Sequence, residues 1–319
     1  MCYTLCFILY VLYILYVLLN KLIKMGDENM FKGVYTAIVT PFKADKIDED
    51  SLQKLIEFQI ENGVNVIVAC GSTGESATLS FEEHIRVIEL AAQFASGRIK
   101  VLAGTGSNNT HEAIELVKEA EKLRIDGHLQ ITPYYNKPTQ EGLYLHFRKI
   151  SENAGLPIVL YNVPTRTSVN MLPETVLRLS KIDNIKGIKE ASGSIEQAAT
   201  ILRSAPEDFC LLSGDDAMTL PIIALGGHGV ISTVSNVAPK DMSLMTDYCF
   251  KGDYKSARKL NFKLLPLIHA MFIETNPIPV KKALNIMGFI ENEIRLPLSE
   301  PSGSTIEKLN KALKDYGIV

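Results

Sequence analysis

The sequence has no C-x-x-C, no H-E-x-x-H and no G-x-G-x-x-G. Its five cysteines, Cys2, Cys6, Cys70, Cys210 and Cys249, are odd in number and scattered. That argues against a disulfide framework or a zinc cluster and for a reducing compartment. The six histidines are also scattered, so catalysis without a metal is the working expectation. A net charge of -3 leaves no global basic footprint, and nucleic acid is not an expected partner. The missing glycine fingerprint weighs against a dinucleotide-binding doubly wound sheet.

What is present begins with an apolar stretch, Met1 to Leu19, followed by Asn20, Lys21 and Lys24. It approaches the ~20 residues that a membrane helix needs. It lacks a basic leading region and a small-residue cleavage site, so it is a poor signal peptide. Were it inserted, the lysines would keep the remainder cytoplasmic. A second reading is preferred. Gly26 to Asn29 can be encoded by a purine-rich ribosome-binding element just upstream of Met30. Residues 1–29 are then upstream sequence absent from the cell, and the protein is expected to be cytoplasmic.

From Gly33 the chain alternates short apolar runs with helical patterns. The strand candidates are Val34 to Phe42, Asn65 to Gly71, Lys100 to Gly106 and Gly127 to Tyr134. Four more are Pro157 to Pro164, Ile185 to Ala191, Phe209 to Asp216 and His228 to Ser235. Continuous apolar runs of this kind suit a parallel sheet buried on both faces. Between them lie amphipathic segments such as Leu52 to Gly63 and Phe81 to Phe94. Ser80 and Thr110 read as helix N-caps. The period of roughly 30 residues is that of a βα unit. Eight units predict an α/β fold, a (β/α)8 TIM barrel over about 30–250. Residues 251–319 read as a C-terminal helical appendage, with helices at Tyr254 to Phe272, Val280 to Gly288 and Ser302 to Gly317.

In such a barrel the chemistry collects at the C-terminal ends of the strands. Lys189 is the most informative residue there. A lysine in a buried strand is rare unless it is paired or has a function. Pairing with Glu190, or escape to solvent from an edge strand, are the plain alternatives. Gly187 and Ala191 share its face and leave space around the amine. Desolvation disfavours a charged lysine, and a neutral amine is the nucleophile that makes a Schiff base with a carbonyl. Polar residues end the other strands: GSTGES (Gly71 to Ser76), TPYYN (Thr132 to Asn136), YNVPTRT (Tyr161 to Thr167) and SGDD (Ser213 to Asp216). Glycines and hydroxyls suit a carboxylate, a tyrosine can relay protons, and an arginine fork grips a carboxylate. GGHG (Gly226 to Gly229) has no basic neighbour, which weakens a phosphate site.

These motifs, in this order and together with AGTGSN (Ala103 to Asn108), GIKEASG (Gly187 to Gly193) and NPIPVK (Asn276 to Lys281), resemble the pyruvate-dependent class I aldolase superfamily. This group also contains the N-acetylneuraminate lyases. Within it the chain is similar to the dihydrodipicolinate synthase family from about Met30 onward. The resemblance implies a Schiff base between Lys189 and pyruvate. Ser72, Tyr135 and Tyr161 would form a hydroxyl relay, with Tyr135 given to a neighbouring subunit. The backbone around Ser72 and Thr73 would hold the pyruvate carboxylate, and Arg166 that of L-aspartate 4-semialdehyde. Gly214 and the Ile231 carbonyl would shape the pocket. Ser76, Ala77, His84, Asn108, Glu112 and Tyr134 match a lysine-effector site. The chain departs from the family at Ser72, usually threonine, and at Phe81, a histidine in some inhibited members. No metal or other cofactor is implied, and the assembly would be a homotetramer of tight dimers in lysine biosynthesis. Another pyruvate-dependent aldolase of the superfamily, an N-acetylneuraminate lyase or a keto-sugar-acid aldolase, is the alternative. A membrane-anchored, non-catalytic binding protein is the alternative of another class.

Overall fold

The computed structural model describes residues 31–319. The apolar segment and the start-site reading lie outside the described residues. Gly33–Val319 form one compact unit.

Eight parallel strands close into a barrel: β1 (Gly33–Ala37), β2 (Val66–Ala69), β3 (Lys100–Gly104), β4 (Gly127–Ile131), β5 (Ile158–Asn162), β6 (Ile185–Glu190), β7 (Cys210–Ser213) and β8 (Gly229–Ser232). β1 closes the barrel by pairing with both β2 and β8. The strands are four to six residues long, shorter than the apolar runs in the sequence. The carboxyl part of each run is loop, and those loops carry the polar motifs.

Pleating sends successive side chains to opposite faces. Val34, Ile67, Ala69, Val101, Ala103 and Val230 join one outer core with the surrounding helices. Ile158, Leu160, Ile188 and Leu211 join a second. The opposite parity, including Tyr35, Leu129, Tyr161, Lys189 and Leu212, therefore faces the barrel interior. Closure between β1 and β8 needs glycine on both sides. Gly33 and Gly229 are register partners with φ of +110° and +142°. A Cβ on Gly229 would lie 1.9 Å from the Gly33 carbonyl oxygen.

The helices outside the barrel are α1 (Glu49–Glu61), α2 (Phe81–Ala95), α3 (Thr110–Ala120), α4 (Gln140–Ser151), the four-residue α5 (Pro164–Thr167), α6 (Pro173–Leu179), α7 (Ile195–Ser204), α8 (Thr219–Ala224) and α9 (Pro239–Phe250). Ser80 caps α2 through a reciprocal bond pattern with Glu83. α3 starts one residue earlier than its pattern suggests, because Asn109 rather than Thr110 caps it by accepting from the His111 N–H. α9 follows β8 and closes the last βα unit, and it carries no strong amphipathic pattern in the sequence. Three helices complete the fold: α10 (Tyr254–Ala270), α11 (Ile278–Ile286) and α12 (Gly303–Tyr316). α10 packs on α9, and α12 packs on both α10 and α11. Among the described residues no helix is long and apolar enough to cross a membrane.

Candidate active site

Lys189 and Tyr161 sit side by side in register on β6 and β5. Both are buried, and the Lys189 Nζ lies 4.2 Å from the centroid of the Tyr161 ring. Among the described residues Lys189 Nζ has no hydrogen bond and no ion pair. Glu190, its possible partner, is on the opposite face of the pleat. Its carboxylate accepts from Asn162 Nδ2 at 3.1 Å, Gln197 Nε2 at 3.0 Å and the Ser192 N–H at 2.6 Å. The ion-pair alternative for Lys189 is thereby excluded, and so is an edge strand in a closed barrel. The space around the lysine depends on Gly214. A Cβ there would lie 2.5 Å from Ala191 Cβ and 3.1 Å from Lys189 Cγ.

A cleft beside this pair is lined by Cys70, Gly71, Ser72, Ser76, Gly104, Gly106, Leu129, Ile131 and Tyr161. The loop after β2 gives it a polar wall. The Gly74 N–H donates to Gly71 O at 3.0 Å, and Glu75 N–H to Ser72 O at 3.2 Å. Those turns leave the N–H groups of Ser72 and Thr73 without an acceptor among the described residues. Two free N–H groups and two hydroxyls form a ready site for a carboxylate. Ile231 lies in β8, buried and opposite Tyr35.

Arg166 projects from α5 and donates to the Asn276 carbonyl oxygen at 2.9 Å. Tyr135 is placed differently. It is 90% exposed, does not line the cleft, and has φ of +70°. That conformation is strained for an aromatic residue. The loop is held by neighbours: Asn108 Nδ2 donates to Tyr134 O at 3.1 Å, and Asn136 Nδ2 donates to Asn108 O at 2.8 Å.

The residues matched to an effector site fall into two groups. Asn108 and Tyr134 are joined as above, and Glu112 accepts from Ser107 Oγ at 2.7 Å nearby on α3. Ser76 and Ala77 lie on the turn after the β2 loop, Ala77 exposed and Ser76 in the cleft. His84 is buried with Nε2 2.7 Å from the Gly104 carbonyl oxygen, and burial pulls its pKa down. Phe81 is exposed at the start of α2. Among the described residues no group of three or more His, Cys, Asp or Glu is placed to hold a metal ion.

Sequence reasoning gives no functional role to four buried polar residues that tie the strand-end loops together: Glu75, Asp216, Asn276 and Lys281. Asp216 is buried, and its Oδ2 accepts from the Thr233 and Val234 N–H groups at 3.0 Å each, fixing the chain just after β8. Burial raises its pKa from the ordinary 3.8 to about 6, against the pull of those hydrogen bonds. The folded state therefore keeps this proton up to about pH 6, while the unfolded chain releases it near pH 4. Stability from this group falls as pH rises through that window, and the full cost, about 3 kcal/mol, is present above it. Asp216→Asn should flatten the stability profile between about pH 4 and 6, measured by urea unfolding at each pH. An unchanged slope would show that the carboxylate is already ionised at pH 4.

The chain matches the family model of the Dihydrodipicolinate synthetase family over residues 30–316. The chain belongs to this family. It is 54% identical over 290 residues to 4-hydroxy-tetrahydrodipicolinate synthase of Syntrophus aciditrophicus, covering 91% of this chain and 100% of the relative. Among solved structures it is similar to the chloride-inhibited dihydrodipicolinate synthase of Acinetobacter baumannii complexed with pyruvate. That match has a TM-score of 0.89 at 46% identity, over 91% of this chain and 100% of the other. It is also similar to the enzyme of Cyanidioschyzon merolae with lysine bound, with a TM-score of 0.89 at 41% identity over 91% and 100% of the two chains. The family's (β/α)8 barrel is thus the fold read from the strand rhythm.

Proposed function

We infer that the chain condenses pyruvate with L-aspartate 4-semialdehyde to 4-hydroxy-tetrahydrodipicolinate, in the pathway to diaminopimelate and lysine. It is a lyase. The observation that carries this reading is a buried Lys189, with no hydrogen bond or ion pair among the described residues, set against Tyr161 beside a loop whose Ser72 and Thr73 N–H groups have no acceptor among those residues. Membership of the family supports the same reaction.

Each residue then has a task. The pyruvate carboxylate lies on the N–H groups of Ser72 and Thr73. That places its keto carbon toward Lys189. The Lys189 amine adds to that carbon, and the keto oxygen leaves as water. Tyr161, with its phenol on the same side as the amine, moves protons to the departing oxygen and from the methyl group, giving an enamine. The enamine carbon bonds to the aldehyde carbon of the second substrate, whose carboxylate Arg166 holds. The amino group of the bound product then attacks the imine carbon, the ring closes, and Lys189 is released. Ser72 links the two tyrosines of the relay. Its lone hydroxyl lacks the threonine methyl that would fix its rotamer.

Tyr135, exposed and strained in one chain, is offered to a second copy's site in a tight dimer, and two dimers make a tetramer. Lysine is the effector at the Ser76, Ala77, His84, Asn108, Glu112 and Tyr134 surface. A bound lysine in the Cyanidioschyzon relative supports that assignment. The protein works in the cytoplasm, with 251–319 as a helical region appended to the 30–250 barrel.

Protein expressed from Met30 and mixed with both substrates, with product followed by a coupled reductase, tests the reading. Turnover is expected. Arg166→Ala should lower kcat/KM for the aldehyde by about 10²-fold or more, the loss of a charge-assisted fork. It should leave pyruvate imine formation intact. Equal loss of both would remove Arg166 from its role. Turnover with keto-sugar aldehydes alone would move the chain to another aldolase of the superfamily.

A further inference from the structure

Thr73 is held from outside the barrel. Asn276 lies in the segment between α10 and α11, 203 residues further along the chain, and its Nδ2 donates to Thr73 Oγ1 at 3.0 Å. Both residues are buried. Among the described residues this is the sole hydrogen bond of the Thr73 hydroxyl. A hydroxyl that accepts from an amide has its own proton left to donate. Among the described residues no acceptor takes that proton, and the neighbouring N–H groups of Ser72 and Thr73, without an acceptor among the same residues, define where one would sit.

Asn276 also carries a cost. Its Oδ1 is buried with no partner among the described residues. An asparagine kept only for packing could be replaced by an apolar residue of its size without that orphan. Its backbone carbonyl meanwhile holds Arg166 at 2.9 Å. One residue therefore touches the loop for the first substrate through its side chain and the arginine for the second through its backbone.

We propose that Asn276 is a positioning residue for pyruvate. Its amide turns the Thr73 hydroxyl into an obligate donor to the pyruvate carboxylate. The inference rests on the Schiff-base reading above. It goes further in assigning a task to a side chain that touches neither substrate. It also separates the two substrates: changing the side chain removes the contact to Thr73 and leaves the backbone contact to Arg166 in place.

The test is the pyruvate dependence of borohydride-trapped adduct on Lys189, together with steady-state KM for each substrate. It compares wild type, Asn276→Ala, Asn276→Leu, Thr73→Val and the double variant Asn276→Leu/Thr73→Val. The leucine variant keeps the branched shape and heavy-atom count and guards against a folding failure of the alanine one. The half-saturating pyruvate concentration should rise about 10-fold in each single variant, the scale of one hydrogen bond to a charged group. KM for aspartate semialdehyde should stay within about 2-fold, and adding Asn276→Leu to Thr73→Val should change pyruvate binding no further. A general structural role would instead lower kcat, or add its effect in the Thr73→Val background, and either result overturns the proposal. Unchanged half-saturation in folded Asn276 variants also overturns it while leaving the Schiff base intact. Absence of any adduct in wild type sinks the Schiff-base reading and the proposal with it.

Discussion

Lys189→Ala should abolish condensation, lowering kcat by roughly 10⁴-fold or more, the scale on which removing a covalent nucleophile acts. Borohydride with pyruvate should label the wild type once per chain and leave the variant unlabelled. The same substitution should cost little stability. Lys189 Nζ has no acceptor among the described residues, so its removal strands no buried carboxylate. The thermal midpoint should stay level or rise, because an unpaired buried amine is itself a burden on the fold. A variant that keeps turnover would transfer the nucleophile elsewhere. A variant that unfolds would show that the amine is anchored by contacts other than the Tyr161 ring. The two readouts together separate a lysine kept for chemistry from one kept for packing.

That distinction also marks what was legible in the sequence. Lys189 stands out because its neighbours are apolar and its strand reads as buried on both faces. The strand rhythm is legible for the same reason, and the barrel follows from eight repeats of it. Lys281 is as buried as Lys189 yet gives no such signal. It sits in α11, whose mixed pattern reads as an ordinary amphipathic surface helix. Its partner Glu75 lies 206 residues away, so the pair exists only after the chain folds. Asn276 is hidden likewise, because its contact with Thr73 crosses from the C-terminal segment to the β2 loop. α9 is hard to see because its apolar residues lack a clean helical period; burial by β1 and α10 forms it more than its own pattern. Tyr135 is legible only through family resemblance. Its left-handed backbone and outward ring are properties of a loop pinned by two asparagines.

Lys281 should behave in the opposite way to Lys189. Its ammonium forms an ion pair with Glu75, donates to the Thr40 carbonyl oxygen at 3.0 Å, and lies 4.4 Å from the Phe42 ring centroid. Both charged side chains are almost wholly shielded from solvent. Burial pulls the Lys281 pKa down, and the Glu75 carboxylate beside it pulls back up. Lys281→Met keeps the stem but strands the Glu75 carboxylate, with the Arg295 N–H as its remaining donor at 3.1 Å. Breaking such a pair from one side costs about 3–5 kcal/mol. In a domain of this size that lowers the melting temperature by roughly 10 °C. Adding Glu75→Gln removes the stranded charge and should recover about half of the loss, since the double variant buries no ion. The effect should also reach the chemistry. Glu75 ends the loop that carries Ser72 and Thr73, and it holds φ of +55° there. With the tether gone, that loop gains freedom that binding must remove, so KM for pyruvate should rise in the folded Lys281→Met protein. Calorimetry and pyruvate titration on the single and double variants check both parts. A melting temperature within a degree or two of wild type would mean that water or a rotated Arg295 rescues the carboxylate. An unchanged pyruvate KM in a clearly destabilised variant would uncouple the ion pair from the substrate loop.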